Sequence, residues 1–210
     1  MGQNEQRARF VIEFLSALTA AGVPYAVLRN AASLAEGTFK DVDLLVPPRA
    51  ITPILRALDQ RSDVASIKVR HALNRSQIEV ALAAETSARV MMDLDVQIAL
   101  VGNRRLGRWL GVLVSRSITF GDVATIRQRV SDAEISVVDP ASELLLLRNH
   151  IRKKPKDAYL RRIAELEAEG VRPQPLTGLF HQPGLAVLRR GMLWAKALPL
   201  WLRSPGEGRD

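Results

Sequence analysis

The chain has 210 residues, a hydrophobic fraction of 47% and a net charge of +8, with 30 Lys and Arg against 22 Asp and Glu. This length and composition predict a folded chain with a sizeable core and argue against disorder. The sequence contains no cysteine, which excludes disulfides, thiolate metal sites and a cysteine nucleophile. The positive charge favours an anionic partner: nucleotide phosphates, nucleic acid or an acidic membrane surface.

Two further features limit the class of protein. The histidines His71, His150 and His181 lie far apart and lack metal-ligand spacing, which argues against a zinc site. His150 is instead interpreted as a cation near the carboxyl end of a helix.

The polar amino terminus lacks a secretory pattern, so a cytoplasmic location is expected. No apolar stretch reaches the ~18 residues that span a bilayer.

Hydrophobic periodicity predicts the order helix, strand, strand, helix, strands along the first half of the chain. The first elements are a helix at 10–18, strands at 25–28 and 40–46, a helix at 51–58, and strands at 65–70, 77–82 and 91–98. The later elements are helices at 104–114, 141–152 and 156–169, with 118–138 ambiguous. A turn-rich link is expected between the first two strands. The predicted fold class is α/β (α+β), a small mixed sheet with flanking helices and a C-terminal helical segment.

Two of the predicted strands carry acidic residues at alternate positions. Asp41 and Asp43 point to one face of the first, and apolar side chains point to the other. Asp93 and Asp95 are arranged in the same way on the second. If these strands are neighbours, three or four carboxylates converge, and their repulsion is relieved by a cation. Mg²⁺ or Mn²⁺ is the expected cofactor, because hard cations prefer carboxylate oxygen.

This pattern resembles the nucleotidyltransferase fold of the DNA polymerase β superfamily. The resemblance covers about residues 25–97. Within the superfamily, the chain looks most like a minimal bacterial branch whose members carry the motifs LR-N/G, DhDLLV and hDL, where h is a hydrophobic residue. It implies transfer of a nucleoside monophosphate from an NTP to an acceptor hydroxyl, with release of pyrophosphate. Asp41, Asp43 and Asp93 are then the catalytic and metal-binding residues, and Asp93 is also the general base. Asp95 is a further candidate metal ligand.

The sequence departs from the superfamily at the turn after the first strand. A Gly-Ser pair normally stands there, whereas this chain has Arg29 and Asn30, with Asn30 eleven residues before Asp41. Their guanidinium and amide groups can donate to phosphate, so they are candidate nucleotide-binding residues together with Lys40. The resemblance leaves the acceptor open among a small molecule, a sugar, a protein and RNA.

The predicted organisation has three parts. Residues 1–138 form a nucleotidyltransferase-like catalytic domain, 139–170 a helical extension, and 171–210 a basic, Trp-containing tail. In the tail, Trp194 and Trp201 lie beside a basic helical stripe, a pattern typical of an interfacial helix. Two interpretations are open for the tail: packing on the domain, or weak contact with an anionic membrane.

Two other functions are compatible with the same motifs. The first is a catalytically inactive member of the fold that binds nucleic acid or a protein partner, for which the replacement of Gly-Ser by Arg29 and Asn30 is the indication. The second is a glycosyltransferase that uses an Asp-x-Asp motif to hold a nucleotide sugar. The second ranks lower, because that fold usually needs a longer nucleotide-binding sheet than this chain leaves room for.

Overall fold

A computed structural model of the chain describes residues 2–29, 31–72, 74–83, 88–99, 117–151 and 155–173. The helices are α1 (Gln3–Ala20), α2 (Ala31–Glu36), α3 (Ile51–Asp59), α4 (Pro140–Ile151) and α5 (Asp157–Ala168). The strands are β1 (Ala26–Val27), β2 (Val42–Leu45), β3 (Val64–Ala72), β4 (Arg75–Leu82), β5 (Arg89–Asp95), β6 (Gln97–Ala99), β7 (Ser117–Thr119), β8 (Thr125–Val130) and β9 (Ala133–Val138).

Seven of the strands form one mixed sheet in the order β3-β4-β5-β2-β1-β9-β8. Strand β2 runs parallel to β5 and antiparallel to β1, and β1 runs parallel to β9. The other pairs of this sheet are antiparallel. Strands β6 and β7 form a separate antiparallel pair. The predicted fold class, a mixed sheet with flanking helices, is confirmed.

One face of the sheet is covered by α1 and α3. Phe10, Phe14 and Leu18 recur every four residues along α1, so they lie on one side of the helix and are buried. They pack in one cluster with Leu44 of β2 and Met92 of β5. Burial on this side fixes which face of each strand is apolar, and therefore directs the alternate residues of β2 and β5 to the opposite face.

The opposite face is covered in part by α4. Leu146 of α4 packs with Ala26, Leu28 and Leu45 from the centre of the sheet. Helix α5 then packs on α4 rather than on the sheet, through a cluster that includes Tyr159. The helical extension is thus attached beside β1 and β2, next to the strand that carries the acidic pair.

Most of the predicted elements are present, and three regions differ. The strand predicted at 91–98 is divided into β5, which ends at Asp95 in the large sheet, and β6, which pairs with β7 in the small one. The link after β1 contains the short helix α2, which ends at Glu36 and is followed by Gly37 with a positive φ of 66°. The ambiguous region resolves into β7 and the β8–β9 hairpin. The helix predicted at 104–114 and the tail from 174 onward lie outside the described residues, and the three-part domain organisation stays a prediction. None of the described helices is long and apolar enough to cross a membrane.

Candidate metal centre

The parallel strands β2 and β5 bring three carboxylates together. Asp43 and Asp93 lie opposite each other in the strand register, and Asp41 comes directly before β2. One carboxylate oxygen from each of the three lies within 4.8 Å of the others. The structure therefore places the three predicted ligands side by side.

The three acids differ in exposure in a way that suits a bound cation. Asp41 is exposed, the Asp43 side chain is 16% exposed, and the Asp93 side chain is 1% exposed. The cluster is therefore open on the side of Asp41 and closed on the side of Asp93. All three donors are carboxylate oxygens, the ligand type that Mg²⁺ and Mn²⁺ prefer, so the residues present fit the predicted cofactor.

Two arginines compensate the two less exposed carboxylates. Arg29, directly after β1, donates from Nε to Asp43 Oδ2 at 3.1 Å, and its Nη2 contacts the same oxygen. Arg75 on β4 forms an ion pair with Asp93 Oδ2, although the contact lacks hydrogen-bond geometry. Gln77, opposite Asp93 in the register, donates from Nε2 to Asp93 Oδ1 at 3.2 Å. A buried carboxylate needs such partners, because an isolated charge in the interior is strongly unfavourable.

Asp95 lies two residues beyond Asp93 on β5 and outside the group of three that meets within 4.8 Å. Burial raises the pKa of Asp95 to about 6; Arg75 lowers it, Asp43 raises it, and Arg29 lowers it. This carboxyl therefore titrates close to neutral pH and is sensitive to the charge of the cluster. Its role as a fourth metal ligand stays a prediction.

Arg29 connects the carboxylates to the helical extension. Its Nη1 lies 2.8 Å from Nδ1 of His150, near the end of α4, and its guanidinium lies over the ring of Tyr159 on α5. Because an arginine can only donate, Nδ1 of His150 is the acceptor, and the imidazole in this contact is neutral. The predicted position of His150 near the carboxyl end of a helix is confirmed, since it lies in the last turn of α4, but the contact with the Arg29 cation argues against a charged ring.

The other two predicted nucleotide-binding residues are placed differently. Asn30 lies outside the described residues. Lys40 is exposed and directly precedes Asp41, so it borders the open side of the cluster.

Sequence patterns missed four residues that contact the candidate site or its arginine. Arg75 and Gln77 on β4 share a face with Asp93, but this follows only from the pairing register of β4 and β5, which the sequence does not give. His150 and Tyr159 reach Arg29 from more than 120 residues away. One signal was available: Arg75 and Gln77 alternate with the buried Ser76 and Ile78, as expected for polar residues on one strand face.

Comparisons with known proteins give distant likenesses among solved structures only. No protein-family model and no curated protein matches the chain. Among solved structures, the chain is similar to an antigenic nucleotidyltransferase-like protein from Paracoccidioides brasiliensis. The identity is 14%, the TM-score is 0.47, and the match covers 92% of this chain and 91% of that one.

Proposed function

We propose that the chain is a metal-dependent nucleotidyltransferase of the DNA polymerase β superfamily, which moves a nucleoside monophosphate from an NTP to an acceptor hydroxyl and releases pyrophosphate. The observation that carries the proposal is the convergence of Asp41, Asp43 and Asp93 from two adjacent parallel strands, with oxygens within 4.8 Å. Such a group concentrates negative charge on a sheet surface, and its donors are those of a Mg²⁺ or Mn²⁺ site.

Each residue has a part in this reaction that follows from its position. Asp41, Asp43 and Asp93 would hold the cation, which when bound neutralises charge on the phosphates and the attacking oxygen. Arg29 offers a guanidinium beside Asp43, suited to bind a phosphate of the NTP. Asp93 would receive the proton of the acceptor hydroxyl, the role that the resemblance implies for it. Because its Oδ2 is paired with the half-exposed Arg75, that ion pair would have to open as the hydroxyl enters.

One observation favours the alternative, a catalytically inactive binding module of the same fold. Arg29 and Arg75 already pair with Asp43 and Asp93, so two of the three acids are compensated within the chain itself. Repulsion between the acids therefore does not by itself require a metal. In the inactive protein these arginines would be permanent structural partners, and the basic surface would bind nucleic acid or a protein.

The deciding experiment compares metal and nucleotide binding with chemistry on the full chain. Wild type is mixed with each of the four NTPs and Mg²⁺ or Mn²⁺, and thermal stability and pyrophosphate release are followed. Binding stabilises the folded state by RT ln(1 + [L]/Kd), about 2.7 kcal/mol at a hundredfold excess over Kd. The double variant Asp41→Asn, Asp43→Asn is expected to lose both signals. Asp132→Asn, in the exposed turn between β8 and β9, is the control and is expected to retain both.

The outcomes separate the two functions. If metal and NTP still raise the thermal stability of the double variant, Asp41 and Asp43 are not metal ligands. A wild-type shift with no pyrophosphate release for any NTP would favour the inactive binding module.

A further inference from the structure

Two cationic side chains lie against the ring of Tyr159, next to the candidate metal centre. The guanidinium carbon of Arg29 is 5.2 Å from the ring centre, and the ammonium nitrogen of Lys156 is 5.0 Å from it. These distances place the two cations within about 10 Å of each other. Both lie at cation–π distance from one ring, an arrangement that holds positive charge at a defined place.

The ring and its cations differ in exposure. Tyr159 is 5% exposed and packs in the cluster between α4 and α5. Lys156 is exposed and donates to the Tyr159 hydroxyl at 3.3 Å. Among the described residues, the polar and aromatic contacts of the Lys156 side chain are with Tyr159 alone. The Tyr159 ring therefore holds the Lys156 ammonium in place, and none of the described carboxylates pairs with it.

Arg29 is held from two sides. Its Nε and Nη2 face Asp43, and its Nη1 faces Nδ1 of His150 at 2.8 Å. The His150 ring is also perpendicular to the Tyr159 ring, with ring centres 5.0 Å apart and planes at 90°. If a cation takes the oxygens of Asp43, Nε and Nη2 lose their acceptor, while the contact with His150 keeps the guanidinium in place. Two donors then remain, fixed beside the metal centre.

We propose that Arg29 and Lys156 form a phosphate-binding subsite at the junction of β1 and the helical extension, and that His150 is the residue that positions Arg29. The ligand is the terminal phosphates of an NTP, so the subsite rests on the proposed function and assigns part of it to the helical extension. The freed donors of Arg29 are geometrically suited to phosphate oxygens, and Lys156 adds a point charge on the exposed side.

The test uses inorganic tripolyphosphate with Mg²⁺ as the probe, measured by isothermal titration calorimetry on the full chain. Lys156→Gln is expected to weaken binding about tenfold, the effect of losing one charge-assisted contact. The matched control is Arg161→Gln, an exposed cation in α5, the helix that begins directly after Lys156, and it is expected to change binding less than twofold. Binding of Mn²⁺ alone, followed by electron paramagnetic resonance, is expected to be the same in both variants and in wild type.

His150 is tested by loss and rescue. His150→Ala is expected to weaken tripolyphosphate binding several-fold, because Arg29 loses the contact that orients it. His150→Asn is expected to restore most of the affinity, since its side-chain oxygen can accept near the position of Nδ1. A residue needed only for packing of α4 would show no rescue, because Asn fills less volume than His.

The results distinguish failure of the subsite from failure of the proposed function. Equal affinities for Lys156→Gln and Arg161→Gln, or an unrescued His150→Ala, would overturn the subsite while leaving the metal centre intact. A wild type that binds neither NTP nor tripolyphosphate in the presence of Mg²⁺ would overturn both.

Discussion

Asp43 and Asp93 lie directly opposite each other on the parallel strands β2 and β5, and each is paired with an arginine from a different neighbouring segment. Arg29 reaches Asp43 from the end of β1, and Arg75 reaches Asp93 from β4. The two carboxylates are thus enclosed between their counter-ions along the sheet. Removing either member of a pair leaves an uncompensated charge. The free energy of unfolding therefore tests each pair without an activity assay.

Asp43→Asn is expected to destabilise the metal-free protein. Repulsion among the three acids alone would predict stabilisation, but the Arg29 side chain is only 17% exposed and would lose its ionised partner. We expect a loss of about 1 to 3 kcal/mol in the free energy of unfolding, measured by urea denaturation. Asp41→Asn, at the exposed member of the cluster, is expected to change it by less than about 0.5 kcal/mol. A more stable Asp43→Asn protein would show that repulsion dominates the pair.

Arg75→Gln tests the second pair. Asp93 is 1% exposed, so loss of the guanidinium leaves a buried carboxylate with only Gln77 as a partner. We expect a loss of about 1 to 3 kcal/mol, less than the 3 to 5 of a fully buried pair, because Arg75 itself is 44% exposed. Added Mn²⁺ should reduce this deficit if the cation binds Asp93. Arg89→Gln, whose ion pair with Glu79 is on the surface, should cost less than about 1 kcal/mol and show no metal dependence.

The acidic residues could be identified from the sequence because their signal is local. The alternation of Asp41 and Asp43 with apolar residues reflects a strand with one buried face, and the same holds for Asp93. The convergence of the acids depends on the two strands being neighbours, which the sequence does not show. In the structure the strands are parallel neighbours with a register of four residue pairs.

The counter-ions could not be identified because their positions depend on distant parts of the chain. Arg75 meets Asp93 only in one register of β4 on β5, and a slip of one residue would turn it to the other face. His150 meets Arg29 only because α4 packs across β1 and β2 through Leu146. Repulsion among the acids is weaker than the sequence alone predicts for the same reason, since Arg29 and Arg75 compensate Asp43 and Asp93.

Gly37→Ala is expected to disturb the loop that leads to Asp41. Gly37 has a φ of +66°, and a Cβ placed there would lie 2.0 Å from the backbone oxygen of Asn4 in α1. Both the backbone strain and the clash act against alanine, so we expect a loss above about 2 kcal/mol in urea denaturation. Gly22→Ala is the matched control, because it has the same φ but no atom within 4 Å, and should lose only about 1 kcal/mol. Equal losses for the two variants would show that the contact with α1 relaxes freely.

Tyr25 is expected to make stability depend on pH in the alkaline range. Its hydroxyl donates to the Leu15 carbonyl oxygen at 2.7 Å, contacts the Thr19 hydroxyl at 2.7 Å and accepts from the Ser136 N–H at 3.1 Å. Burial raises the pKa of Tyr25 above its ordinary value, while the hydrogen bonds from Thr19 and Ser136 and the charge of Arg127 lower it. Burial has the largest effect, so the folded state favours the protonated phenol.

The sign of the pH dependence follows from that raised pKa. The contribution of Tyr25 is complete below the unfolded-state pKa of about 10 and is lost as the pH rises through the higher folded-state value. Tyr25→Phe is expected to lower the free energy of unfolding at pH 7 by about 1 to 3 kcal/mol, because the Ser136 N–H loses its acceptor. Urea denaturation at intervals from pH 7 to 11 should show the wild type approaching the variant above pH 10. Parallel curves over that range would mean that ionisation of Tyr25 is not linked to unfolding.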